Sequence, residues 1–108
     1  MTITTKGRVN VATPGTPVPL STDPSVIACK LFFQVIPGFT GKTYVGVPGM
    51  TKGTLDGVAR VLWPNSSGGF SETFSIESQD GTDSIRLLDY AIDADTASEG
   101  LLVTYWTA

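Results

Sequence analysis

Short turn dipeptides recur along this chain at intervals that leave little room for helices. They are Pro14-Gly15, Pro37-Gly38, Pro48-Gly49, Asp56-Gly57, Gly68-Gly69, Asp80-Gly81 and Glu99-Gly100. Most of the gaps between them are close to the ~8–12 residues expected between the turns of a β-sandwich or barrel. The turn spacing therefore favours an all-β chain.

The segments between the turns support this interpretation, since β-branched and aromatic residues dominate them and polarity alternates with period two. The predicted strands are Arg8–Ala12, Thr16–Leu20, Val26–Val35, Lys42–Val47, Val58–Trp63, Ser71–Glu77, Ile85–Leu88 (or Ile85–Ile92) and Leu101–Trp106. We therefore expect an all-β fold, a single antiparallel β-sandwich of about eight short strands that is jelly-roll-like or Ig-like.

The first residues are open to two interpretations. Thr2, Ile3, Thr4 and Thr5 favour a strand but precede the first strong turn. We expect residues 1–7 to form an extended N-terminal arm that adds a strand to a neighbour's sheet, and residues 8–108 to form the single sandwich domain. The alternative is that the segment is the first edge strand of the same domain.

A weakly charged surface points to contacts with other proteins. Charged residues make up 16% of the chain, against ~25% in ordinary soluble domains, and exposed apolar patches usually mark contact surfaces. The strand Leu101–Trp106 carries apolar side chains on both faces, so Leu102 and Trp106 need a partner. We predict an interface formed by Thr2, Ile3, Thr4, Thr5, Trp63, Leu102 and Trp106.

Charge is distributed unevenly along the sequence. Residues 1–60 hold six basic and two acidic side chains, a net of +4, and residues 61–108 hold one basic and eight acidic side chains, a net of −7. If the halves form separate faces, the basic face of one copy can meet the acidic face of another. The alternative is that strands from both halves interleave. Neither half is basic enough for a nucleic-acid footprint, so no nucleic-acid partner is expected.

The sequence offers little for catalysis. It contains no histidine, which excludes Ser-His-Asp and Cys-His machinery and histidine metal sites. Cys29 is the only cysteine and lies in an apolar run, so we expect a buried, unreactive thiol. We predict no catalytic, cofactor-binding or metal-binding residue, and no enzymatic activity.

Four acidic residues near the C-terminal end are the remaining candidates for a site: Asp89, Asp93, Asp95 and Glu99. Two of them could serve as the acid pair of a glycosidase, or the group could bind calcium through its oxygens, although the spacing lacks the EF-hand pattern. The composition around Asp93 and Asp95 favours a solvated surface loop instead.

No membrane partner is expected, because no apolar stretch approaches the ~18 residues that span a bilayer and the first residues do not match a signal peptide. We therefore expect the protein to be made in the cytoplasm.

Several segments resemble a known family. They are Arg8–Leu20, Gln34–Gly38, Thr40–Gly46, Asp89–Asp95 and Glu99-Gly100, which is followed by a final apolar strand. In this order they resemble a family of small tailed-bacteriophage virion structural proteins. Residues 50–79 depart from the pattern.

The resemblance implies a β-sandwich protein displayed on the capsid exterior of a virion and made in the host bacterial cytoplasm. We expect a capsid decoration, or cement, protein that binds the major capsid protein and copies of itself, by analogy as a homotrimer. A head-fibre or tail-associated protein is the alternative within the family. A glycan-binding module that uses Trp63 or Trp106 to stack on sugar rings is the alternative from another class.

Overall fold

The computed structural model describes residues 2–64 and 71–108. In these residues the chain forms ten β-strands and a single 3-10 turn over Leu87–Asp89. The strands are β1 Thr2–Val11, β2 Val18–Pro19, β3 Ile27–Ala28, β4 Lys30–Val35, β5 Thr43–Thr51, β6 Asp56–Leu62, β7 Thr73–Glu77, β8 Ile85–Arg86, β9 Ala91–Ala94 and β10 Glu99–Thr107. The predicted turn at Gly68-Gly69 lies outside the described residues.

The strands pair in a nested order. β1 pairs with β10, β2 with β9, β3 with β8, β4 with β7 and β5 with β6, always antiparallel. The chain is thus one long antiparallel ribbon whose centre is the turn between β5 and β6. Two further antiparallel pairings, β10 with β4 and β9 with β5, fold this ribbon back on itself.

The result is two four-stranded sheets. Sheet A has the order β1-β10-β4-β7, sheet B has the order β2-β9-β5-β6, and β3 and β8 form a small two-stranded extension. An antiparallel ribbon wrapped into two such sheets is a jelly roll. The predicted all-β antiparallel sandwich is confirmed, and the strand order is that of a jelly roll and not of an Ig domain.

The core lies between the two sheets. In β4, the buried residues Leu31 and Phe33 alternate with half-buried Lys30, Phe32 and Gln34, which is the period-two pattern of a strand with one inward face. The buried core cluster comprises Val11, Leu20, Ala28, Leu31, Phe33, Val35, Val45, Leu62, Ile85, Leu87, Ile92, Ala94, Leu101 and Val103.

The N-terminal arm is not confirmed. Residues 2–11 form β1, which runs along β10 from the pair Thr2 and Thr107 to the pair Val11 and Glu99. The segment is therefore an edge strand of its own sheet, the second of the two sequence interpretations. The physical reason is the length of β10, which gives the whole segment a partner, with one bulge between Thr5 and Gly7.

Four predicted strands differ clearly from the observed ones. β5 continues through the predicted turn Pro48-Gly49 to Thr51, so the turn expected there is wrong. The predicted strand over residues 26–35 is divided at Cys29, which is buried as predicted and whose thiol donates to the Trp106 carbonyl at 3.3 Å. The predicted strand over residues 16–20 shortens to β2, because its prolines remove ladder donors. The predicted strand Ile85–Leu88, or Ile85–Ile92 in its longer form, is cut to β8 by the 3-10 turn, and β9 follows as a separate strand.

The two halves of the sequence do not form opposed faces. Nested pairing places strands of the first half beside strands of the second, so their charges interleave. Ion pairs join the halves at Lys30–Glu77 (3.4 Å), Lys52–Asp95 (2.9 Å) and Arg60–Glu72 (3.6 Å). The charge asymmetry of the sequence is therefore neutralised within one copy at these places.

Candidate interaction surface

The outer face of sheet A is the side turned away from the core. Because directly paired residues share a face, the strand registers define its rows. The rows are Ile3–Trp106–Lys30–Glu77, Thr5–Thr104–Phe32–Ser75 and Arg8–Leu102–Gln34–Thr73. The surface therefore spans all four strands, with β10 and β4 at its centre.

Four apolar side chains, Ile3, Phe32, Leu102 and Trp106, lie on this face. Phe32 contacts Trp106 edge-on, with ring centroids 6.3 Å apart and an interplanar angle of 87°. Ile3 is 61% exposed and Leu102 is 37% exposed. Phe32 and Trp106 are half-buried, so the four side chains together form a partly exposed apolar patch.

The charged groups lie in the two outer rows of the face, with Arg8 and Glu77 at corners and Lys30 beside Glu77 on β4. At one corner Lys30 pairs with Glu77 at 3.4 Å, and the Lys30 ammonium also lies 5.1 Å from the Trp106 ring centroid. At another corner Arg8 donates to Asn10 at 2.7 Å. An apolar centre with a polar rim is the usual anatomy of a protein interface.

The structure brings some of the predicted interface residues together. Ile3, Leu102 and Trp106 lie on the outer face of sheet A, with Thr5 in the adjoining row. Thr2 and Thr4 pair with Thr107 and Tyr105, so their side chains point to the opposite side of the sheet.

Sequence reasoning missed Phe32. It is not among the predicted interface residues, yet it lies on the outer face of sheet A in contact with Trp106. The available signal was the pair Phe32-Phe33, because two adjacent aromatic residues in a strand must face opposite sides.

Trp63 lies apart from this surface. It directly follows β6 of sheet B and is 60% exposed. The Lys42 ammonium lies 5.0 Å from its ring centroid, and its backbone N–H donates to Glu72 at 3.1 Å. The predicted interface residues thus divide between two separate places.

Asp93 is fully buried in β9, so the expectation of a solvated loop is wrong at this position. One carboxylate oxygen accepts from the backbone N–H groups of Gly15 at 3.0 Å and Ala94 at 2.8 Å. The other oxygen has no hydrogen-bond partner. The side chain ties the loop between β1 and β2 to sheet B.

Asp95 forms hydrogen bonds with two side chains. It accepts from the Tyr44 hydroxyl at 3.0 Å and from Lys52 at 2.9 Å. Burial raises the pKa of Asp95, but hydrogen bonds from Lys52 and Tyr44 and the charges of Lys52 and Lys42 outweigh it and leave the pKa below its usual value. Burial, the hydrogen bond to Asp95 and nearby carboxylate charges raise the pKa of Tyr44 to about 12.

The other two acidic residues have separate partners. Asp89 accepts from Arg86 at 3.1 Å. Glu99 accepts from the backbone N–H groups of Thr40, at 3.0 Å, and Gly41, at 2.9 Å. Within residues 2–64 and 71–108, no group of three or more acidic or cysteine side chains is placed to share a metal ion.

Comparison of the chain with protein-family models, with curated proteins and with solved structures finds no match. Among the described residues, no helix is long and apolar enough to cross a bilayer. The feature that most clearly needs a functional explanation is the apolar outer face of sheet A, because this chain leaves it open.

Proposed function

We propose that this chain is a non-enzymatic structural protein of a phage particle, a capsid decoration or cement protein. In this proposal it binds the major capsid protein and copies of itself on the capsid exterior, after synthesis in the host bacterial cytoplasm. The observation that carries the proposal is the apolar outer face of sheet A. The virion setting rests on the sequence resemblance.

Exposed apolar area on the outer face of sheet A favours the binding of a partner. Removing such area from water stabilises a complex by about 25 cal/mol per Å², and Ile3 and Leu102 leave area available. Phe32 and Trp106 add aromatic groups of the kind enriched at interface centres. The patch is supported from below by the core, so little conformational entropy is lost when a partner covers it.

A cement role also fits the arrangement of charge. The charged groups Arg8, Lys30 and Glu77 lie in the outer rows of the face, so they can set orientation while apolar contact supplies affinity. The absence of histidine from the sequence and the engagement of Asp95 and Glu99 in internal hydrogen bonds support a non-enzymatic role.

The test is reconstitution on particles that lack the protein. Wild-type protein is expected to bind these particles and to raise the temperature at which heads open. Leu102→Glu places a charge in the patch and should abolish both effects. Leu55→Glu is the matched control, because Leu55 is 53% exposed in the turn between β5 and β6. Normal binding by Leu102→Glu would contradict the proposal.

Imaging of the particle distinguishes a location of the protein on the head from a location on a fibre or the tail. Density for the protein on the capsid shell supports decoration, whereas density confined to a fibre or the tail would replace it with the head-fibre or tail-associated role.

A glycan-binding module is the second candidate, and the exposure of Trp63 favours it. An exposed indole can stack on a sugar ring, and jelly rolls also occur in lectins. Host polysaccharide should then quench tryptophan fluorescence in the wild type and in Trp106→Ala but not in Trp63→Ala. Equal quenching in both variants, or none in the wild type, would remove this candidate.

A further inference from the structure

β1 presents an open edge. It has ten residues, and within the described part of the chain it has β10 on one side and no strand on the other. An edge strand of this kind carries a row of unpaired backbone N–H and C=O groups, which is a template for another strand.

The first half of β1 carries devices that usually block an edge only at its end, where Lys6 lies in a bulge. The segment Thr2–Lys6 has no proline, no acidic residue and a single charge at its end. By contrast, β2 at the corresponding edge of sheet B is only two residues long and ends in Pro19. At the far edge of sheet A, β7 ends in Glu77 and follows Glu72 closely.

We propose that Thr2–Lys6 pairs antiparallel with the same segment of a second copy, about a twofold axis at Thr4. This inference deepens the self-association part of the proposed function and rests on it. The two copies of sheet A then form one continuous eight-stranded sheet.

The register follows from the bulge and the charge. The bulge at Lys6, between Thr5 and Gly7, limits the regular part of the segment to Thr2–Thr5. A register with Ile3 opposite Thr5 of the second copy, and Thr2 opposite Lys6, uses all of it. A register centred on Lys6 would place two lysines opposite each other, which is unfavourable. The register centred on Thr4 avoids this repulsion.

The same register joins the outer faces of the two sheets. Ile3 and Thr5 both lie on the outer face of sheet A, so the apolar rows of one copy continue into those of the next. The exposed Ile3 side chain then packs beside Thr5 of the second copy. The pairing therefore extends the surface proposed to bind the capsid and does not compete with it.

The contact is expected to be weak in solution. Two five-residue strands bury less than the ~1,200 Å² of a stable interface, so the dimer should form in a concentration-dependent manner. On a particle, copies held side by side have a high effective concentration, and a weak edge contact then becomes occupied. A twofold dimer differs from the trimer that the resemblance implies, and particle mass separates the two.

The decisive experiment is sedimentation equilibrium of the 108-residue protein with charge changes at Thr2. Thr2→Glu places an acid opposite Lys6 of the second copy, twice per dimer, and should lower the dissociation constant by roughly 2- to 30-fold. Thr2→Lys should raise it by a similar factor. Thr73→Lys on β7, at the other edge of sheet A, is the control and should leave it unchanged. Because Thr2→Glu and Thr2→Lys should act in opposite directions, a general loss of folding cannot mimic the result.

Cross-linking tests the axis directly. In the Thr4→Cys variant, the new thiol lies opposite the same thiol of the second copy, so oxidation should yield a covalent dimer. The native Cys29 is buried and should not cross-link. Asn10→Cys, on β1 beyond the bulge, should not cross-link.

A monomer at every concentration, a trimer insensitive to Thr2, or equal cross-linking at both positions would overturn the inference. Capsid binding that still depends on Leu102 would leave the proposed function standing in those cases. If capsid binding is also lost, both the dimer inference and the proposed function are wrong.

Discussion

Phe32 and Phe33 offer the sharpest test of which side of sheet A faces the core. They are adjacent in β4 and point in opposite directions. Phe33 is fully buried and stacks on Phe74, with ring centroids 6.1 Å apart and an interplanar angle of 21°. Phe32 is half-buried and contacts Trp106 from the other side of the sheet.

The same substitution should therefore have different costs at the two positions. Phe33→Ala opens a cavity in the core and should lower the free energy of unfolding by about 3–5 kcal/mol, a large part of the ~5–15 kcal/mol that domains possess. Phe32→Ala loses one aromatic contact and part of its buried area, about 1–2 kcal/mol. The expected difference between the variants is at least about 1 kcal/mol.

Urea unfolding followed by circular dichroism measures both values in one assay, and an unchanged slope with denaturant shows that the comparison is valid. Equal costs, or a larger cost at Phe32, would refute the assignment of Phe33 to the core and Phe32 to the outer face. Such a result would indicate a register shifted by one residue, because that shift moves every side chain to the other face.

Three further predictions concern contacts elsewhere in the fold. Because the pKa of Tyr44 is raised to about 12 from 10.0 in the unfolded chain, its contribution to stability is complete below pH 10 and is lost as the pH rises towards 12; Tyr44→Phe should flatten that decline in urea titrations, and an unchanged decline would contradict it. Glu99→Gln replaces a charged acceptor of the Thr40 and Gly41 N–H groups with a weaker neutral one, so amide hydrogen exchange at these two residues should accelerate, and unaltered exchange would disprove the contact. Gly100→Ala would drive a methyl group into the Val9 carbonyl of β1 and should cost about 1–3 kcal/mol in thermal unfolding, whereas wild-type stability would show that β1 lies farther from β10.

The sequence predicts the fold class because its signals are local. Turn dipeptides and period-two alternation act within a few residues, and they locate most of the strands. The choice between a jelly roll and an Ig domain depends on pairings such as β1 with β10, which join the two ends of the chain. No local pattern contains that information.

Asp93 shows the same limit at a single residue. The composition around Asp93 suggests a surface loop, yet this residue is buried in β9. One of its two hydrogen-bond donors, the backbone N–H of Gly15, lies 78 positions away in the sequence. A buried acidic group of this kind cannot be recognised before its distant partner is known.

The interaction surface was partly predictable. Leu102 and Trp106 were identified because β10 has apolar side chains on both faces, and one strand can bury only one face in its own core. The pair Phe32-Phe33 is a local signal for the position of Phe32, whereas the choice between an arm and an edge strand for residues 2–7 required the sheet order. The charge difference between the halves misled for the same reason, since nested pairing interleaves them.

The most direct test of the proposed role is a cryo-electron microscopy reconstruction of the phage particle that carries this protein. The account predicts the jelly roll on the capsid exterior, with the outer face of sheet A, at Leu102 and Trp106, buried against the major capsid protein. A reconstruction in which that face points to solvent while another surface holds the protein in place would contradict it.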